Sequence, residues 1–210
     1  MKEIKKAKII GSIIGVILFI ILVAGFTYAW FTWESNKINI SGNTACFDIN
    51  YTEGNAVTDD LLLIDANKLV TADKITIKKG MAVTNLSAGK DPKCTKLNAK
   101  LTINLNVIAV SSAYSSSGNS SGALHYVVAS YDASTYPVVS STELEGISFD
   151  ILETGTITNT GEITVYEKEL NSDGTIDNYL IIFYIDGNLA TNDVDNTNLN
   201  IEIEAVASQI

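Results

Sequence analysis

Arginine is absent from this sequence of 210 residues; histidine occurs once, at His125, and cysteine twice, at Cys46 and Cys94. Each shortage excludes a class of function. Without arginine or a basic stripe there is nothing to grip phosphate backbones or guanine edges, so nucleic-acid binding is not expected. One histidine and two cysteines are too few for most zinc sites and acid–base schemes. No H-E-x-x-H motif is present, and no C-x-x-C, which removes the usual metalloprotease and thiol-redox signatures. No cofactor or metal is called for. His125 lies between Leu124 and Tyr126 at the start of an apolar strand, where a structural imidazole is the plainer reading.

Positive charge is supplied by lysine alone, and part of it is concentrated at the start. Residues 1–29 read MKEIKKAKIIGSIIGVILFIILVAGFTYA. Removing them takes away four lysines (Lys2, Lys5, Lys6, Lys8) and one glutamate (Glu3). The net charge then moves from −10 to −13. That charge keeps a protein soluble and repels anionic lipid head groups. The lysines precede an uncharged apolar run, Ile9–Phe26, and small residues Thr27 and Ala29 stand at −3 and −1 of a cut between Ala29 and Trp30. This is the layout of a secretory signal peptide. The alternative is an uncleaved anchor, since about 18 apolar residues approach the length of a membrane span, with Tyr28, Trp30 and Trp33 at the interface. A type IV pilin leader fits poorly, because it is cut before the apolar run. On either reading residue 30 onward is exported. Signal peptidase is then one partner, and the membrane, through residues 9–26, is another.

Beyond Trp30 the hydrophobic period becomes two. Leu97–Val107 alternates for eleven residues, Leu199–Ala205 does the same, and shorter alternations occur at 38–40, 75–77, 147–151 and 163–165. Tyr126–Val128 and Tyr179–Ile185 are apolar on both faces, as in central strands or strands covered by a loop or a partner. Asn, Asp, Gly and Ser cluster between the runs, at 115–122, 171–174 and 186–198. Residues 59–72 suit a short helix, or equally a strand and turn. Seven to nine strands point to an all-β fold, a single β-sandwich of jelly-roll or immunoglobulin-like type. It would occupy residues 41–210, preceded by the signal or anchor helix at 1–29 and a segment at 30–40.

In an exported setting Cys46 and Cys94 are expected to form a disulfide, closing a loop of about 50 residues and worth up to ~4 kcal/mol; two separate buried thiols are the other reading. Asn171–Asp177 has some look of a calcium loop but lacks the terminal glutamate, so an Asp-Gly hairpin turn is expected there. Any pair of carboxylates is open to glycoside chemistry, and nothing in the sequence singles one out. The loops at 111–122 and 186–198 are the candidate binding loops of an adhesion module.

Several segments carry a family resemblance. The leader ends in Thr27-Tyr28-Ala29-Trp30-Phe31-Thr32, a spacer leads to Ser41-Gly42-Asn43, and the chain closes on Ile201-Glu202-Ile203-Glu204-Ala205-Val206-Ala207-Ser208-Gln209. Together with Cys46–Gly54, this layout resembles the TasA/camelysin family of Gram-positive surface and biofilm-matrix proteins. Residues 55–195 match that family only in being β-rich. The resemblance implies export through a SipW-type signal peptidase, a jelly-roll fold and, as in some members, fibres built by donating an N-terminal strand. Trp30, Phe31, Trp33, Ile38 and Ile40 would form that donor strand. Strand addition supplies main-chain hydrogen bonds and side-chain register, and head-to-tail addition does not close.

The expectation is therefore an exported structural protein, not an enzyme, at the surface of a Gram-positive-type bacterium and able to self-assemble. A membrane-anchored adhesion or ligand-binding module is the alternative. A hydrolase of camelysin type is the third reading, and no motif supports it.

Overall fold

A strand needs its apolar positions on one face, and the eleven-residue alternation around Leu101 meets that need directly. It forms β6 (Ala99–Ala109), with Leu101, Ile103, Leu105 and Val107 buried on one side. The computed structural model describes residues 40–41, 47–52, 61, 63–71, 73–91, 94, 98–171, 173–194 and 199–210, with the backbone alone at 40–41, 47–52 and 209. The other strands are β1 (Ile40–Ser41), β2 (Phe47–Thr52), β3 (Leu63–Ile64), β4 (Lys74–Thr76), β5 (Ala82–Lys90), β7 (Leu124–Ser130), β8 (Ser148–Thr156), β9 (Gly161–Glu169), β10 (Asp177–Asp186) and β11 (Asn200–Gln209). Three short 3-10 turns, Ala66–Lys68, Ser112–Tyr114 and Asn192–Val194, complete the described elements. The protein is all-β.

The strands make two sheets. The first has the order β1-β11-β6-β9; the second has seven strands, ordered β2-β5-β10-β7-β8-β4 with β3 beside β10. Pairing is antiparallel except for β1 on β11 and β3 on β10. One apolar cluster draws side chains from both sheets. Leu101, Ile103, Leu105, Ile201, Ile203 and Ala205 come from the first, and Leu86, Ala88, Val128, Tyr179, Ile181, Phe183 and Ile185 from the second. Burying each large member fully contributes about 1.5–3 kcal/mol.

The second sheet has a further cluster on its other face. Val83, Val127, Ala129, Leu180, Ile182 and Tyr184 pack there against Ile64, Leu69, Ile75, Ile77, Met81, Val139 and Leu144. This answers the two-faced apolar runs at 126–128 and 179–185: the chain's own connections cover them. Main-chain bonds hold the cover in place, with Ile77 N–H donating to the Ile147 carbonyl at 2.9 Å and Gly146 N–H to the Ile77 carbonyl at 2.8 Å. Gly146 takes φ +81°, a left-handed turn conformation that glycine adopts without strain.

Three differences from the sequence reading stand out. Among the described residues eleven strands form where seven to nine were expected; the unforeseen ones include β3, of two residues, and β5, whose buried Thr84 and Asn85 hide it. Residues 63–70 hold both options considered for that stretch, a short strand and one 3-10 turn. The Asp173-Gly174 turn does not close a hairpin. It joins β9 of the first sheet to β10 of the second, which pair with β6 and with β3, β5 and β7 respectively.

Candidate functional site

Of the residues proposed for export and strand donation, Ala29, Trp30, Phe31, Trp33 and Ile38 lie outside the described residues, and so does Cys46. The apolar run Ile9–Phe26 also lies outside them; among the described residues no helix is long and apolar enough to cross a membrane. Ile40 is described. It pairs in parallel with β11 of its own chain, Ile40 opposite Ala205 and Ser41 opposite Val206.

That pairing defines an edge. β11 runs for ten residues, and β6 lines one side of it from Asn200 to Gln209, with a register shift after Asn200. On the other side, among the described residues, β1 occupies Ala205 and Val206 alone. A strand edge so short of partners presents free N–H and C=O groups to another chain segment. Ile201, Ile203 and Ala205 point from β11 into the core, while Glu202 and Glu204 stand on the outer face, so an added strand meets apolar and acidic positions alternately.

Cys94 is disulfide-bonded, and the chain has one other cysteine, Cys46. The register Phe47 opposite Lys90 sets the start of β2 against the end of β5, four residues ahead of Cys94.

The two candidate binding loops are brought together. Ser120, fully buried, donates from its hydroxyl to Asp193 Oδ1 at 2.7 Å and accepts from the Thr191 N–H at 2.9 Å. Thr191 Oγ1 also donates to Asp193. Hydrogen bonds from Thr191 and then Ser120 hold the Asp193 carboxyl below the usual carboxylate range. Between the loops lies a cavity of about 320 Å³, lined by Ser111, Ser112, Ser115, Ser117, Asn119 and Asp193 among others. Gly118 has no room for a side chain, because a Cβ there would collide with the Ala113 carbonyl. The lining offers hydroxyls, one amide and one carboxylate, a set suited to a ligand rich in hydroxyl groups.

His125 sits on the covered face of the second sheet, where its ring stacks on Tyr184 with centroids 4.9 Å apart and planes within 3°. Burial lowers its pKa, opposed by the nearby Asp186 carboxylate. In the Asp173–Asp177 turn, Asp173 accepts from the Thr175 N–H at 2.9 Å, and Asp177 is held by Lys168 at 2.8 Å and by Asn171. These carboxylates serve the turn and its ion pair. Among the described residues no group of three or more His, Cys, Asp or Glu is placed to hold a metal ion.

Sequence reasoning did not identify the β11 edge as an acceptor, nor a second cavity, of about 440 Å³, lying by β3 and β4 and lined by Leu63, Leu69, Lys78 and Lys79 among others. The lysine pair at 78–79 was the available signal for it. No protein-family model, curated protein or solved structure matches the chain.

Proposed function

We propose that this is an exported surface protein of TasA/camelysin type, a β-sandwich of jelly-roll or immunoglobulin-like build whose work is structural and not catalytic. Residues 1–29 direct export through the lysine-rich start and the Ile9–Phe26 run, and a signal peptidase cuts between Ala29 and Trp30. The freed segment 30–40 then adds to the sheet of a neighbouring copy, at the surface of a Gram-positive-type cell.

The observation that carries this reading is the β11 edge, which accepts Ile40 and Ser41 in parallel and is otherwise unpaired among the described residues. A donated strand running on in the same register would set Ile38 opposite Ile203, keeping apolar residues together at alternate positions. Exchanging a strand made within one chain for the same strand from a neighbour is a low-cost route to assembly.

The test is the intact mass of the exported protein, followed by negative-stain electron microscopy. A chain beginning at Trp30 that forms fibres supports the proposal. A chain still carrying Ile9–Phe26, or one beginning at Trp30 that stays monomeric at high concentration, overturns it.

A second reading, an adhesion module anchored by residues 9–26, is favoured by the cavity between the loops at 111–122 and 186–198. It expects a monomer that binds a glycan or other polyol, with binding abolished by Asp193→Ala.

A further inference from the structure

The lysines of this acidic chain are not evenly neutralised. Among the described residues, Lys74 holds Asp150 at 2.6 Å, Lys100 holds Glu167 at 2.7 Å, Lys168 holds Asp177 at 2.8 Å and Lys68 holds Asp65 at 3.1 Å. Lys90 is buried and has its own partner. Lys78 and Lys79 take part in none of these pairs. Both line the 440 Å³ cavity, and Lys68 stands at it too. With carboxylates in large excess over lysines, two adjacent ammonium groups that no described carboxylate pairs mark a local reversal of the charge of the whole molecule.

The rest of that cavity is Leu63, Ile64, Leu69 and Thr76, with one carboxylate, Asp65, already held by Lys68. Ile64 and Leu69 are almost fully buried beneath it, and Leu63 is 55% exposed, which is unusual for a leucine held in a strand against β10. The volume lies in the range of about 300–1,000 Å³ that suits one small organic molecule. The Lys68–Asp65 pair is exposed, so Lys68 can turn toward a second acid group at little cost. Apolar surface and unpaired ammonium groups side by side select a ligand having both complements.

We propose that this cavity binds an amphiphilic anion, a single molecule with an apolar body seated on Leu63 and Leu69 and a carboxylate or phosphate headgroup held by Lys78 and Lys79. The source is a free single-chain acid and not a membrane surface, because the net charge of −10 repels an anionic bilayer while one cavity accepts one molecule. The proposal does not depend on the strand-donation reading.

The experiment is calorimetric titration of the full chain with decanoate below its micelle concentration. The comparisons are 1-decanol, acetate and phosphatidylglycerol vesicles. One-site binding of decanoate is expected, at least tenfold tighter than 1-decanol, with no detectable heat from acetate or vesicles. Raising salt from 20 to 300 mM should weaken it severalfold. Lys78→Gln with Lys79→Gln should weaken it at least tenfold, and so should Leu63→Asp, an exposed position whose change leaves the fold intact by circular dichroism. Decanoate taken up by the apolar leader would be indifferent to these substitutions. Equal affinity for decanoate and decanol, binding to vesicles only, or unchanged affinity in the lysine double variant would each overturn the proposal.

Discussion

The two sheets differ in what covers them. The first is buried on one face and polar on the other, where Asn104 and Asn106 on β6 meet Glu162 on β9 and Glu202 on β11. The second is buried on both faces, against the first sheet on one side and under Ile64, Leu69, Ile75, Ile77, Val139 and Leu144 on the other. Composition follows coverage. β11 alternates apolar with glutamate, whereas β10 is apolar or aromatic without interruption from Tyr179 to Ile185. A continuous apolar strand in a chain with no described α-helix thus reports a third layer made from connections.

Neighbouring isoleucines on β10 test this most severely. Ile181 faces the cluster shared by the two sheets and Ile182 the cluster under the cover; both are fully buried. Replacing either with alanine is expected to cost about 2–5 kcal/mol in chemical denaturation. If the cover were a loose flap, Ile182→Ala would cost well under half as much as Ile181→Ala, and the second sheet would be one-sided like the first.

A smaller effect separates the two ends of the fold. Ser120→Ala leaves the Asp193 carboxylate and the Thr191 N–H short of a partner. It should cost about 1–3 kcal/mol and speed hydrogen exchange at 111–122 and 191–194, with little change in β10. Equal loss of protection throughout would mean that the loop clamp and the core unfold as one unit.

The smallest effect is a pH dependence. The pKa of His125 is lowered in the fold, so the unfolded chain binds its proton first, and stability falls as pH drops below about 6.5. Asp65, Asp132, Asp173 and Asp193 are lowered too, Asp132 to about 2. What they contribute is present above their ordinary value of 3.8 and is lost below it. The melting temperature should therefore decline in two stages, and His125→Phe, which keeps a ring on Tyr184, should flatten only the stage between pH 7 and 5. A single stage in the parent protein would show that the covered face leaves His125 as wet as the outer face of the first sheet.

β6, β10 and β11 were legible because each shows a clean period or an unbroken apolar run. β5 was not. Its inward residues are Ala82, Thr84, Leu86 and Ala88, and its outward ones Val83, Asn85, Ser87 and Gly89, so small and polar side chains blur the alternation although the strand is central and buried. The two binding loops were legible one at a time. Their union rests on Ser120 and Asp193, 73 residues apart, and nothing local announces such a contact. The lysine cavity escaped a charge reading averaged over the domain, since it depends on which carboxylates the other lysines take.

Strand order also sets a schedule. β11 stands between β1 and β6 in the first sheet, so residue 40 finds its neighbour only after residue 205 has been made. Contacts that span the chain in this way belong to slow folders, on the order of milliseconds to seconds. Until β11 emerges from the ribosome, β6 has one bare side and the inter-sheet core lacks Ile201, Ile203 and Ala205. The first sheet is in that sense completed only once residues 200–209 have been made, and a chain that cannot lock early remains threadable.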